Sequence, residues 1–151
     1  MNMKSKKILP PTYFQLALIL SVLLHFLLPI YHWIDYPLTL IGILPILIGV
    51  LLNIVADRAF KNANTTVKPF EKSSFLVIDG VFRISRNPMY LGMVLIILGI
   101  TIILGSVSPL IITILFAIGL QLVFIRTEEK MLEEVFGESW VNYKKKVRLW
   151  L

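Results

Sequence analysis

Residues 38–56, LTLIGILPILIGVLLNIVA, decide the fold class of this chain. They contain no charged side chain over 19 residues, and a helix that crosses a bilayer needs roughly 17–25 residues. Three further uncharged apolar stretches are residues 13–30, 89–104 and 109–125. The last two are short for a span and need flanking residues to complete it. We therefore predict an all-α integral membrane protein with four transmembrane helices.

Composition favours the same class. Of the 151 residues, 57% are hydrophobic, whereas soluble globular domains are about 45–50% apolar. The length is that of one domain, so we treat residues 1–151 as a single membrane-embedded domain. The first apolar stretch follows three lysines but lacks a small-residue cleavage site. We interpret it as a retained span rather than as a signal peptide.

Lysine and arginine lie on one side of this predicted topology. All 15 fall in the N-terminal tail, in a loop at residues 57–88 and in a tail at residues 126–151. The loops at residues 31–37 and 105–108 contain none. The positive-inside rule then places the N-terminus, the loop and the C-terminal tail in the cytoplasm. We expect a protein of a bacterial or archaeal inner membrane, whose net charge of +6 needs no nucleic-acid partner.

Several kinds of chemistry lack support in the sequence. The chain has no cysteine, which excludes disulfides, thiolate nucleophiles and cysteine-based metal sites. It has two histidines without a carboxylate at ligand spacing, so we expect no metal. The Rossmann, Walker A, H-E-x-x-H and G-x-S-x-G patterns are all absent. These absences argue against a soluble Rossmann-type enzyme, a nucleotide hydrolase, a zinc protease and a serine hydrolase.

Local signals predict helix boundaries and contacts. Asn87 and Ser108 each precede a proline, as N-cap residues precede a proline at the first helical position. Glycines seven residues apart lie on one stripe of a helix and allow close helix packing; these pairs are Gly42 with Gly49 and Gly92 with Gly99. Polar side chains inside the spans should form hydrogen bonds to other helices; these are His25, Asn53 and Gln121.

After the fourth stretch, the sequence predicts an amphipathic cytoplasmic helix that ends at Gly137. Its apolar side consists of Met131, Leu132, Val135 and Phe136. A second amphipathic piece is expected to turn three apolar residues towards the membrane, and these are Trp140, Tyr143 and Val147. The three lysines at 144–146 would then lie at the lipid head groups.

A longer pattern runs through the cytoplasmic segments. It reads Gly80-x-Phe82-x-x-x-Arg86-Asn87-Pro88-x-Tyr90-x-Gly92, then Glu128 and Glu129, then Phe136, Gly137 and Tyr143. This order and spacing resemble the isoprenylcysteine carboxyl methyltransferase family, which belongs with the membrane phospholipid methyltransferases. The resemblance extends from about residue 65 to the C-terminus. Asn87 stands where that family has histidine, and the first two spans match no motif of the family.

The resemblance implies methyl transfer from S-adenosylmethionine to a lipophilic or membrane-associated acceptor. The cofactor-binding residues that it implies are Phe75, Leu76, Val77, Phe82, Arg86, Asn87, Pro88, Met89, Tyr90 and Glu128. The helix start at Pro88 and the charge of Arg86 suit the cofactor's carboxylate, and Glu128 suits its amine or its ribose. Aromatic faces suit the sulfonium or the adenine ring, and Gly92 would let the chain pass close to the ligand.

Arg126 and Glu129 are the candidate catalytic residues, with Arg126 positioned to bind an acidic group of the acceptor. The acceptor stays open between a carboxylate on a prenylated thiol, a phospholipid amine, a small thiol and an isoprenoid hydroxyl. The alternative is a non-catalytic membrane scaffold or carrier subunit, favoured by the replacement of histidine by Asn87. A transporter has less support, because the sequence lacks inverted halves and broken-helix pairs.

Overall fold

The computed structural model describes residues 9–63 and 75–151, and all regular structure in those ranges is helical. The helices are α1 (Pro10–Leu27), α2 (Ile43–Asn62), α3 (Pro88–Leu104), α4 (Ser108–Gly119), α5 (Arg126–Phe136) and α6 (Glu138–Lys146). Short 3-10 turns are found at Leu38–Gly42 and Gly80–Arg83, and a π-helical segment is found at Leu120–Ile125. The predicted basic N-terminal tail, together with Lys68 and Lys72, lies outside the described residues.

Within the described ranges, three helical stretches are long and apolar enough to cross a membrane, namely Pro10–Leu27, Leu38–Asn62 and Ser108–Phe136. Helix α3 is apolar but has 17 residues, so the count of four spans stays a prediction. The first span has the expected 18 residues but begins and ends three residues earlier than predicted. It ends at Leu27 because Pro29 disfavours helical backbone at the residue before it. The last span does not end at Ile125, because the chain continues through the π-helical segment directly into α5.

Helices α2 and α3 pack antiparallel through their glycines. Gly42 lies against Gly99, and a Cβ on Gly49 would come 2.5 Å from the carbonyl oxygen of Gly92. The predicted packing role of the glycine stripes is confirmed. Gly92 faces α2, where a Cβ would collide with the side chain of Asn53. The expectation that its missing side chain makes room for a ligand is therefore wrong.

The two loops without basic residues meet at one end of the helices. Trp33 donates its N–H to the carbonyl of Gly105 at 3.0 Å, and Val107 donates to the carbonyl of Tyr31 at 2.9 Å. His25 Nδ1 lies 2.8 Å from Ser106 Oγ, so this histidine bonds to the loop between α3 and α4 rather than to another helix. The described basic residues belong to segments that reach the opposite end. These residues are Arg58, Lys61, Arg83, Arg86, Arg126, Lys130, Lys144, Lys145, Lys146 and Arg148.

Three local predictions differ from the structure. Ser108 is the first residue of α4 and not its cap, and its hydroxyl donates to the carbonyl of Leu24 at 3.4 Å. Asn53 donates to the carbonyl of Gly49 in its own helix, at 2.9 Å, rather than to another helix. Gln121 accepts a bond at 3.3 Å from Trp150, which lies in the tail. In each case the polar group forms a hydrogen bond, but with a partner other than the kind predicted.

Helix α6 turns its aromatic residues into the protein. Trp140, Tyr143 and Val147 were expected to face the membrane, but they are buried against Ala56 and Phe82. The Tyr143 hydroxyl donates to the carbonyl of Phe82 at 2.6 Å. This contact satisfies the polar end of the side chain, so the ring can be buried without losing a hydrogen bond.

Candidate active site

The start of α3 carries the central part of the motif. Pro88 occupies the first helical turn, and Asn87 precedes it in a non-helical conformation. Asn87 therefore occupies the predicted N-cap position, but its side chain does not form the expected capping hydrogen bond. Its Nδ2 donates instead to the carbonyl of Leu149 at 3.3 Å. No side chain of the described residues caps this helix, and a helix start whose first backbone N–H groups lack a side-chain partner suits a carboxylate.

Tyr90 and Glu128 meet between α3 and α5. The Tyr90 hydroxyl donates to Glu128 Oε1 at 2.6 Å, although the two residues are 38 positions apart. Tyr90 is buried, and its ring lies 6.4 Å from that of Phe124, measured between centroids. Two of the predicted cofactor-binding residues are thus in direct contact, and the second carboxylate oxygen of Glu128 remains to accept a donor from a ligand.

Arg86 and Glu129 form a largely buried ion pair. Arg86 Nη1 lies 2.8 Å from Glu129 Oε1, and the two side chains are only 9% and 17% exposed. The two atoms are in ionic contact without the alignment of a hydrogen bond. Lys144 Nζ lies 3.9 Å from the other oxygen of Glu129. A predicted cofactor residue and a predicted catalytic residue are therefore partners of each other.

Two buried N–H donors stand beside this ion pair. The Arg86 guanidinium carbon lies 5.9 Å from the centroid of the Trp140 ring. Within the described residues, neither Arg86 Nε nor Trp140 Nε1 has a hydrogen-bond partner. A buried donor without an acceptor costs free energy. An anionic group that accepts hydrogen bonds from these two donors would remove this unfavourable free energy. The carboxylate of the implied cofactor's amino-acid moiety is such a group.

The C-terminal residues 147–151 lie along the motif, which the sequence did not predict. Arg86 donates its backbone N–H to the carbonyl of Arg148 at 3.1 Å, and Ser85 Oγ donates to the carbonyl of Leu149 at 3.2 Å. Leu149 and Trp150 also pack against the apolar cluster that contains Tyr90. The only signal for this in the sequence is a series of large apolar residues in the basic tail, and it does not identify their partners.

The remaining predicted site residues differ in burial and in the apolar cluster to which they belong. Phe82 is buried in the cluster with Ala56 and Trp140, whereas Tyr90 belongs to the cluster with Phe116 and Phe124. The rings of Phe82 and Tyr90 therefore belong to different clusters. Leu76, Val77 and Met89 pack partly buried against the cluster of Phe82. Phe75 is exposed, and so is Arg126, at the start of α5.

Burial raises the pKa of Tyr143 to about 12, and the nearby Arg86 guanidinium offsets part of that rise. The phenol therefore stays protonated at neutral pH and keeps donating to Phe82. Tyr143 supports the shape of the site through this bond. No group of three or more His, Asp or Glu side chains suited to a metal ion is found in residues 9–63 and 75–151.

Residues 38–139 match the family model described as phospholipid methyltransferase. This match covers more than half of the chain. The chain belongs to the phospholipid methyltransferase family. The matched residues include both Tyr90 and Glu128, so the resemblance inferred from the motif is confirmed. The contacts of residues 147–151 lie beyond the matched range.

Individual relatives agree with this membership. The chain is 38% identical over 79 residues to the protein-S-isoprenylcysteine O-methyltransferase of Schizosaccharomyces pombe, covering 50% of this chain and 32% of that protein. It is 40% identical over 63 residues to an uncharacterized protein of Haemophilus influenzae, covering 42% of this chain and 100% of the other. The aligned part of this family member thus spans about a third of the length of the Schizosaccharomyces pombe protein.

A solved structure shares the fold. The eukaryotic intramembrane Ras methyltransferase, an isoprenylcysteine carboxyl methyltransferase, superposes with a TM-score of 0.66 at 22% identity. The superposition covers 100% of this chain and 53% of that chain. The described helices of this family member are therefore arranged as in part of a membrane methyltransferase.

Proposed function

We propose that this chain is an S-adenosylmethionine-dependent methyltransferase that acts on a lipophilic or membrane-associated acceptor. The observation that carries the proposal is the 2.6 Å bond between Tyr90 and Glu128. It joins the Arg86-to-Gly92 motif to the glutamate pair in a chain whose relatives are methyltransferases. We include in the proposal a single domain with four spans and with both termini in the cytoplasm.

The side chains present fit the polar parts of the cofactor. The uncapped start of α3 and the buried Nε of Arg86 offer N–H donors for its carboxylate. Glu128 offers a carboxylate for its amine or for its ribose hydroxyls. When bound, the cofactor supplies an electrophilic methyl group. We assign ten residues to cofactor binding, and these are Phe75, Leu76, Val77, Phe82, Arg86, Asn87, Pro88, Met89, Tyr90 and Glu128.

The protein's own contribution is alignment and the exclusion of water. The Tyr90 hydroxyl fixes the orientation of the Glu128 carboxylate. The Glu129 carboxylate likewise fixes the orientation of the Arg86 guanidinium. Glu129 therefore acts through Arg86 as a positioning residue. Arg126 is exposed where α5 begins, and we keep it as the residue that would bind an acidic group of the acceptor.

The test uses the full chain in detergent and in its native membrane. Calorimetry with S-adenosylhomocysteine should show binding to the purified protein. Membranes that contain the protein should incorporate labelled methyl groups from S-adenosylmethionine into a lipid or a lipid-linked peptide, and membranes without it should not. Failure of both measurements would favour the non-catalytic scaffold. Binding without incorporation would leave the acceptor to be sought among small thiols.

A further inference from the structure

A recess lies beside the candidate active site, between the 3-10 turn Gly80–Arg83 and helix α6, and Tyr143 is among the residues that line it. Its volume is about 400 Å³, within the range of sites that hold small organic groups. Arg83 and Lys146 contribute cationic side chains to its wall, and Ser139 and Asn142 contribute neutral polar ones. None of the residues that line it is among the predicted cofactor-binding or catalytic residues.

The charges around this recess favour an anion. Asp79 is the acidic residue among those that line it, and it pairs with Arg83 at 2.6 Å. Both side chains of this pair are 75% exposed, and such exposed pairs contribute little to stability. Arg83 uses Nε and one Nη2 hydrogen for Asp79, so three of its five N–H donors remain.

Neutral donors and an apolar edge complete the recess. Within the part of the chain that the structure describes, the side chains of Lys146, Ser139 and Asn142 form no hydrogen bond or ion pair. Ile78 lines the recess and is exposed. Two more exposed apolar side chains, Phe75 and Ile84, belong to the same short segment. A recess with exposed cations in its wall and an exposed apolar side chain beside them suits a molecule with an anionic head and an apolar body.

We propose that this recess binds the phosphate of a phospholipid whose head group carries a net negative charge. Lys146 and Arg83 would hold the phosphate oxygens, and Asn142 and Ser139 would donate to the glycerol and ester oxygens. Ile78 would lie against the first part of the acyl chains. The recess lies at the end of the helices that carries the described basic residues, where a bilayer head group is available. The proposal does not depend on methyl transfer.

The chain offers a matched pair of lysines for the test. Lys146 and Lys145 are both exposed and lie on the same turn of α6, but only Lys146 lines the recess. Native mass spectrometry of the full chain in detergent would measure binding of phosphatidylglycerol, with phosphatidylcholine of the same acyl chains as the comparison. Lys146→Gln and Arg83→Gln should each weaken phosphatidylglycerol binding about fivefold, whereas Lys145→Gln should leave it unchanged.

A variant that should raise the affinity for phosphatidylglycerol, rather than lower it, strengthens the test. Asp79→Asn removes the acid from the recess and should tighten phosphatidylglycerol binding, while Glu134→Gln, an exposed acid on α5 that does not line the recess, should not. Asn142→Asp adds an acid and should weaken binding. An equal loss in Lys145→Gln and Lys146→Gln would overturn the proposal in favour of diffuse attraction. Equal binding of phosphatidylglycerol and phosphatidylcholine would also overturn the proposal. Displacement of phosphatidylglycerol by millimolar inorganic phosphate would overturn it too, because it would indicate a site for the free anion.

Discussion

The hydroxyl of Tyr90 donates to the carboxylate of Glu128 at 2.6 Å and ties the first turn of α3 to the first turn of α5. Glu128→Gln keeps the shape of this contact but removes the negative charge. A lost hydrogen bond to a charged group costs about 1.5–3 kcal/mol, so S-adenosylhomocysteine binding should weaken about tenfold or more. Tyr90→Phe frees Glu128 from its orienting donor and should weaken binding less. Calorimetry in detergent provides the measurement.

The control for this experiment is Glu134→Gln, which removes an exposed carboxylate on the same helix and should bind like wild type. If Glu128→Gln and Tyr90→Phe also bind like wild type, the cofactor site lies elsewhere.

Glu129→Gln should destabilise the fold through Arg86. The guanidinium is mostly buried and would lose its ionic partner, and breaking such a pair typically costs about 3–5 kcal/mol. The melting temperature in detergent should fall clearly, whereas Glu134→Gln should leave it near the wild-type value. A double variant in which Arg86 is also replaced, by Met, should be more stable than Glu129→Gln alone. A Glu129→Gln protein as stable as wild type would show that the buried pair does not stabilise the fold.

Asn87 should act through the C-terminal tail rather than through a helix cap. Its Nδ2 donates to the carbonyl of Leu149, so Asn87→Ala should lower stability by about 1 kcal/mol. Asn87→Asp should lower it further, because a carboxylate would face a carbonyl oxygen. The measurement is the melting temperature with and without S-adenosylhomocysteine.

Asn87→Asp should also reduce the stabilisation by that ligand, since it adds a negative charge beside the proposed carboxylate site. If the ligand stabilises Asn87→Asp and wild type equally, no carboxylate binds at the start of α3.

Gly99→Ala should disrupt the packing of α2 against α3. A Cβ at this position would collide with the carbonyl of Gly42, and backbone cannot move aside as a flexible side chain can. Gly119→Ala is the matched control, because no atom lies within 4 Å of a Cβ there and alanine favours helix by about 1 kcal/mol. We expect a lower melting temperature for the first variant and an unchanged or higher one for the second. The reverse order would mean that the glycine contacts do not set the helix spacing.

The topology can be measured with single cysteines because the chain has none of its own. Asp35→Cys lies in a loop without lysine or arginine and should react with an impermeant maleimide added outside intact cells. Lys145→Cys lies in the basic tail and should react only after the membrane is opened. Reporter fusions after residue 7, within residues 62–68 and after residue 151 should all report cytoplasm, and one at Ser106 the outer side. Labelling of Lys145→Cys from outside would contradict the proposed orientation.

Sequence alone determined the class of the protein and the glycine stripes that allow its helices to pack closely. Apolar runs of this length must form helices in lipid, because only a helix satisfies its own backbone hydrogen bonds there. Glycines with a seven-residue period lie on one helix face by geometry, so Gly42, Gly49 and Gly99 could be assigned to packing without a structure. The packing role of Gly92 needed the structure. The Arg86-to-Gly92 motif and Glu128 could be placed in one site through the family resemblance.

Tertiary structure alone decided the partners of the buried polar groups. Arg86 pairs with Glu129, and Asn87 bonds to Leu149, across separations that no local pattern encodes. Trp140 lies inside the protein because α6 packs against the end of α2 and the turn that contains Phe82, and an amphipathic pattern does not distinguish a protein surface from a membrane surface. A helix period tells which side chains share a face. Which surface that face meets depends on how segments far apart in the chain come together.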